Sequence, residues 1–314
     1  MLNSQKAFRI LSLDGGGAKG VYTLGILKEI EALAQRPLWQ EFDLIYGTST
    51  GAIIAALLAL GKNVAEIKEI YLASVPDIMQ YRSRTVRTAA LKKHAGLIFG
   101  QEKFDAFKTD VGIVTTDYDQ TRPMIFKSSV AQAHGRQSTF EPGFGCTIAD
   151  AVVASGAAFP FFERARVSTS NQGEPDLIDG GFVANNPTLL AIADAVEAYM
   201  VPKERIKVLS LGVGVYKEPQ RNVFYRLLFK TEVARLVLKI LEANTTTIEQ
   251  LRLVLFPDIA AIRINDSFPQ DEYQTDMLEC NLSKLKKLNA LGRESFARNE
   301  SALKTLFGWA RPAR

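Results

Sequence analysis

The run Asp43-Leu-Ile-Tyr-Gly-Thr-Ser-Thr-Gly-Ala-Ile-Ile-Ala-Ala leaves the chain few options. Phe42 to Tyr46 read as a buried strand and Ala52 to Leu60 as a core helix, with only Gly47-Thr48-Ser49-Thr50-Gly51 between them. A strand that passes so abruptly into a helix belongs to a parallel sheet with helices packed on it. A serine with a glycine two residues away on each side is the pattern of a nucleophile elbow. The turn is too tight for a Cβ at 47 or 51, and the hydroxyl stands at the helix N-terminus, where the dipole favours negative charge. A plain Gly/Ser connection would carry the same letters, but the strand–turn–helix context favours the catalytic reading.

The rest of the chain fits that frame. Phe8 to Leu13 reads as a strand, followed by Asp14-Gly-Gly-Gly-Ala-Lys-Gly20 and an amphipathic helix to about Ala34. A further helix is expected from about Val64 to Ser74. Strands are expected at Val111 to Thr116 and Pro123 to Phe126, and a small-residue helix over Ile148 to Ala158. Asp176 to Asp179 ends a strand before Gly180-Gly181, a helix covers about Thr188 to Tyr199, and Ile206 to Leu211 is a buried strand. That strand should close the sheet, apart from an optional edge strand at Ala260 to Ile264. The fold class is therefore α/β: a mostly parallel central sheet with helices on both faces, plus a C-terminal helical extension. Helical patterns over Phe224 to Leu241 and Leu282 to Leu306 divide the chain into a catalytic domain, 6–217, and a mainly helical region, 218–309, packed on it.

Composition excludes several classes. With 47% apolar and 23% charged residues the chain suits a globular protein, and a net charge of +4 is too small to argue for nucleic acid. Cys146 and Cys280 lack metal or redox spacing, so a cytoplasmic setting without metal is expected. The N-terminus has no signal-peptide architecture, and Ala52 to Leu60 is too short to cross a bilayer, so any membrane contact should be peripheral.

Three stretches carry chemistry. Gly15-Gly16-Gly17-Ala18-Lys19-Gly20 matches G-x-G-x-x-G, yet the next strand ends in Gly47-Thr48-Ser49, where a dinucleotide site needs a carboxylate. Lys19 precedes the closing glycine, so a phosphate-binding Walker loop fails too. The glycines do offer open backbone N–H groups that could stabilise an oxyanion beside Ser49. For a base, the α/β-hydrolase order is Ser, then Asp or Glu, then His, yet no histidine follows residue 134, and the two present, His94 and His134, lack motif context. Asp179 remains the best carboxylate, although an Asp-Gly pair also commonly just caps a turn; as a base it would need burial to raise its pKa. No acidic residue occurs between Asp77 and Glu102, where Arg82, Arg84, Arg87, Lys92 and Lys93 could meet phosphates, lipid head groups or only solvent; residues 78–105 are the candidate lid. Arg221, Arg226, Lys230, Arg235 and Lys239 line the first of the two C-terminal helical patterns.

In their order and spacing, the glycine loop, Gly47 to Gly51, Ala154-Ser-Gly-Ala-Ala-Phe-Pro160, Asp179-Gly-Gly181 and Ala184-Asn-Asn-Pro187 resemble the patatin-like phospholipases over about residues 6 to 215. The resemblance implies a Ser–Asp dyad, with Ser49 the nucleophile, Asp179 its base and the amides of Gly15, Gly16 and Gly17 the oxyanion hole; Gly20, Gly47, Gly51, Gly180 and Gly181 are motif glycines. It implies phospholipid acyl hydrolysis through an acyl-serine, without metal or cofactor. The family often has arginine at the position of Lys19 and alanine at that of Gly181. The C-terminal region is similar to a bacterial branch of antiphage effectors activated by cyclic oligonucleotides. That branch implies a cyclic oligonucleotide activator and a phospholipid membrane surface as partners, a peripheral place at the inner membrane, and allows a homo-oligomer. The alternatives are a soluble carboxylester or thioester hydrolase, and a catalytically silent nucleotide-binding scaffold.

Overall fold

The computed structural model describes residues 6–129, 132–133, 141–219 and 229–309. Strand β1 (Phe8–Leu13) leads through the glycine loop to α1 (Gly20–Ala34), and β2 (Leu44–Thr48) turns into α2 (Thr50–Ala59). Helices α3 (Val64–Met79) and α4 (Arg84–Phe99) precede β3 (Asp110–Asp117), β4 (Arg122–Lys127) and β5 (Glu141–Gly143). Next come α5 (Ile148–Ser155), β6 (Ala165–Arg166), β7 (Asp176–Asp179), α6 (Gly181–Ala184), α7 (Thr188–Ala193) and β8 (Ile206–Leu211). The C-terminal part holds β9 (Val215–Tyr216), α8 (Phe229–Leu255), β10 (Ala260–Ile264), β11 (Ser267–Phe268) and α9 (Leu282–Phe307).

The sheet runs β10-β8-β1-β2-β3-β4-β5. Its first five strands are mutually parallel, and β4 turns back antiparallel to β3. Alternation along the strands fills a core on each face. Leu11, Leu13, Ile45, Val111 and Ile113 face one cluster, with residues of α1 to α5 and α9. Ile10, Leu44, Tyr46, Val114 and Val208 face the other, with α7 and Ile248 of α8. The expected α/β class with helices on both faces and a C-terminal helix holds.

The C-terminal residues do more than lie on the sheet. β10, the optional edge strand, pairs with β8, while α8 and α9 join opposite layers. Helices α1 and α9 meet backbone to backbone, because a Cβ at Gly25 would lie 2.2 Å from the Asn289 carbonyl oxygen and one at Gly292 only 2.1 Å from that of Tyr22. The Asn289 amide donates to the Val21 carbonyl at 2.9 Å, and the Tyr22 hydroxyl to Ser295 at 2.8 Å.

One feature of register positions the site. On one side of β3, Thr48 is the partner of Val114, and there β2 leaves the sheet. β7 enters the vacated lane from the opposite direction and sets Asp179 against Thr115, the next position along β3. The end of β2 and the end of β7 therefore meet head to head. The segment 78–105 differs from a lid: it is mostly α4, whose Arg87 is buried and donates to the carbonyls of Phe161 and Tyr81. Among the described residues no helix is long and apolar enough to cross a membrane.

Candidate active site

Ser49 sits at the junction of β2 and α2 with φ 53° and ψ −119°, a left-handed conformation costly for a residue with a side chain. The flanking glycines make it attainable. A Cβ on Gly47 would meet the Gly51 carbonyl oxygen at 2.4 Å, and one on Gly51 would meet that of Leu13 at 2.2 Å. The Ser49 N–H donates to the Ser155 hydroxyl (2.8 Å), which donates in turn to the Val114 carbonyl (2.6 Å). Ser155, from the 154–160 motif, thus fastens the elbow to β3.

Ser49 and the Asp179 carboxyl line the same cavity, close enough for the serine side chain to favour the ionised carboxylate, and the two residues are 7% and 2% exposed. Asp179 is gripped from several sides. Its N–H donates to Ala157 (3.1 Å), its carbonyl accepts from Thr116 (2.9 Å), and its Oδ1 accepts from the Gly181 N–H (2.7 Å). Burial pushes its pKa up to about 6, against the opposing pull of the Gly181 hydrogen bond and of the nearby Ser49 side chain. Among the described residues no imidazole stands in its place: His94 bonds Asp77 at 2.8 Å and is absent from the cavity around Ser49. His134 lies outside the described residues.

The glycine loop abuts the elbow, with a Cβ at Gly15 reaching within 3.2 Å of Ser49 Cβ. The expectation that all three amides face an oxyanion needs correction. The Gly15 N–H is spent on the Asn185 carbonyl at 3.0 Å, whereas the N–H groups of Gly16 and Gly17 have no acceptor among the described residues. Gly20 begins α1 beside Thr50, and Gly180 packs on the Val114 carbonyl. The Tyr71 hydroxyl bridges the Gly17 carbonyl and Thr50, holding loop and elbow together.

Ser49 and Asp179 open into a cavity of about 230 Å³. Its walls include Gly15, Gly16, Lys19 and Asn185, and also Leu238, Leu241, Glu242, Thr245 and Thr246 of α8. Burial lowers the pKa of the Lys19 ammonium, opposed by Glu242 and Asp276. Arg82, Arg84, Lys92 and Lys93 are exposed but line no part of this cavity, and Arg87, spent on buried carbonyls, is unavailable to a head group. The α8 wall is a feature the sequence reading missed. Asn244 binds the Asn185 N–H (2.9 Å) and the Val183 carbonyl (3.0 Å), and Thr245 accepts from the Asn185 amide at 2.8 Å. The available signal was a run of amide and hydroxyl residues, 244–247, interrupting an apolar helical pattern. Arg221 and Arg226 lie outside the described residues, as does the Lys230 side chain. Arg235 and Lys239 are exposed on α8. Among the described residues no cluster of His, Cys, Asp and Glu could hold a metal.

Residues 11–192 match the sequence profile described as patatin-like phospholipase. The chain belongs to the patatin-like phospholipase family. With that membership comes the activity class, serine-dependent hydrolysis of lipid acyl esters. An Escherichia coli protein named cUMP-AMP-activated phospholipase is 51% identical over 296 residues, which span 94% of this patatin-like chain and 92% of the relative. Human calcium-independent phospholipase A2-gamma is 29% identical and matches 95% of the chain with 39% of its own length. The crystal structure of VipD from Legionella pneumophila shares the fold, with a TM-score of 0.50 at 14% identity, over 96% of this chain and 67% of VipD.

Proposed function

We propose that this patatin-like protein is a phospholipase of the A type in which Ser49 is the nucleophile and Asp179 its base. The observation that carries the reading is the juxtaposition, in one cavity, of Ser49 at a strained elbow and a buried carboxyl whose pKa is raised to about 6. A carboxylate of ordinary acidity is a feeble base for a hydroxyl, and the shift moves it toward the working range. Asp179 accepts the Ser49 proton as Oγ bonds to the ester carbonyl carbon. The carbonyl oxygen gains the electron pair and is held by the N–H groups of Gly16 and Gly17. Asp179 then gives its proton to the departing lysophospholipid oxygen, leaving an acyl-serine. In the second half, Asp179 takes a proton from water, whose oxygen attacks the acyl carbon; fatty acid leaves and Ser49 recovers its proton.

The names of the relatives support a cyclic oligonucleotide activator, and a role in antiphage defence belongs to the same reading. In this reading residues 6–217 form the catalytic unit and 218–309 wall and brace it, and the protein acts peripherally at the inner membrane, with oligomerisation open to activation. Ser49→Ala is expected to abolish fatty-acid release from phospholipid vesicles and labelling by a fluorophosphonate. Purified protein should show low basal hydrolysis that one member of a panel of cyclic oligonucleotides raises. Release at the wild-type rate by Ser49→Ala would remove the mechanism, and full activity indifferent to the panel would remove the activator.

A further inference from the structure

Helix α8 has two working faces. Inward, Leu238, Leu241 and Thr245 line the cavity while Val237 and Ile248 are buried. Outward, positions 236, 240, 243, 247, 251 and 254 recur at the three- and four-residue spacing of one helical face, as Leu, Ile, Ala, Thr, Leu and Val. Leu236, Ile240, Leu251 and Val254 are 62%, 45%, 43% and 74% exposed. No charged residue interrupts this arc, and its 18-residue span makes it about 27 Å long. A solvent-facing stripe of this kind is a surface awaiting a partner.

We infer that the outer stripe of α8 is the lipid-docking face, which seats the reverse side of the cavity wall against the bilayer. The inference rests on the phospholipase reading above, since the substrate ester then lies in the surface on which α8 rests. Area argues against a second copy of the chain: a stripe about 27 Å by 10 Å offers roughly 270 Å², against about 800 Å² per partner in a stable protein interface. An interfacial helix needs only such a narrow apolar face. Among the described residues the cations on its border are already occupied, Lys239 with Glu242 at 2.7 Å and Glu218 at 3.4 Å, and Arg235 with Glu218 at 3.5 Å. Docking therefore draws on apolar burial and is insensitive to salt and to anionic lipid.

The test uses the full chain carrying Ser49→Ala, so that vesicles stay intact, floated with neutral phosphatidylcholine–phosphatidylethanolamine vesicles at low and high salt. The parent is expected to float equally at both. Leu236→Glu, Leu251→Glu and Val254→Glu together should cut binding by about tenfold or more, and Val254→Glu alone by less. With Ser49 restored, the triple variant should hydrolyse a monomeric short-chain ester at the parent rate while its release of fatty acid from vesicles falls. Flotation of the triple variant like the parent would overturn the inference, as would failure of the parent to float. So would lipid-free light scattering in which the parent is oligomeric and the triple variant monomeric, which would make the stripe a contact between copies. Failure of the Ser49-intact parent on every ester, with and without the panel of cyclic oligonucleotides and with flotation as expected, would count against the hydrolase reading and not against docking.

Discussion

Asp179 has to be acid enough to ionise and basic enough to take a proton from serine, and its surroundings settle the balance. Burial raises its pKa to about 6, above the ordinary carboxyl value, so the folded protein binds this proton more tightly than the unfolded chain. Two consequences follow in opposite directions. The contribution of this group to stability is greatest below the unfolded pKa and falls as pH rises toward 6, whereas activity rises over the same window as the base is set free. The pH profile of kcat/KM should show an ascending limb with its midpoint at about 6. Asp179→Asn should abolish that limb with nearly all activity, yet unfold at higher denaturant near neutral pH, by about 1–3 kcal/mol. An active Asn variant, or one less stable than wild type at pH 7, would contradict the role. Ser49 and Asp179 were legible in the sequence because glycines mark both. Ser155, Tyr71 and Asn185 acquire their holding roles from partners far along the chain, and no local pattern announces such bonds.

At the scale of elements, β1, β8 and β10 run as the apolar runs predict, and α1 ends at Ala34 as expected. The reading of α8 stopped at Leu241, but the helix continues to Leu255. Asn244 and the threonines after it are poor helix formers, and tertiary bonds to Val183 and Asn185 outweigh that preference. Helix α4 packs into the core through Leu91, Ala95 and Phe99, and it buries Arg87, which the sequence reading could not distinguish from its exposed basic neighbours. The contact between α1 and α9 depends on two missing side chains. Gly292→Ala should force the helices apart and cost about 1–3 kcal/mol in urea unfolding, while a surface control, Gly96→Ala, with open space around it, should not destabilise. Equal loss in both would show that the close approach does not matter.

For the whole molecule, the edge strand β10 ties the end of the chain to its beginning. Arg263 makes a two-pronged ion pair with buried Asp14, at 3.0 and 2.6 Å, and also bonds Ser210. Removing one partner from such a pair leaves an uncompensated buried charge. Arg263→Leu should therefore lower stability by about 3–5 kcal/mol, and a chain ending at residue 217 should fail to give a cooperative thermal transition. A stable, cooperative fragment would show that the C-terminal region is dispensable to folding. Sequence reading divided the molecule at a change of texture and allowed Ala260 to Ile264 as an optional edge strand; that strand pairs with β8, so the sheet runs across the division. The shared rail on which Thr48 and Asp179 abut has its own implication for control. Both reacting groups ride on β3, so a shift of that strand transports them as a unit and their spacing is a poor throttle. Control of the reaction is therefore expected to act on entry of the ester, at the walls that surround the chamber.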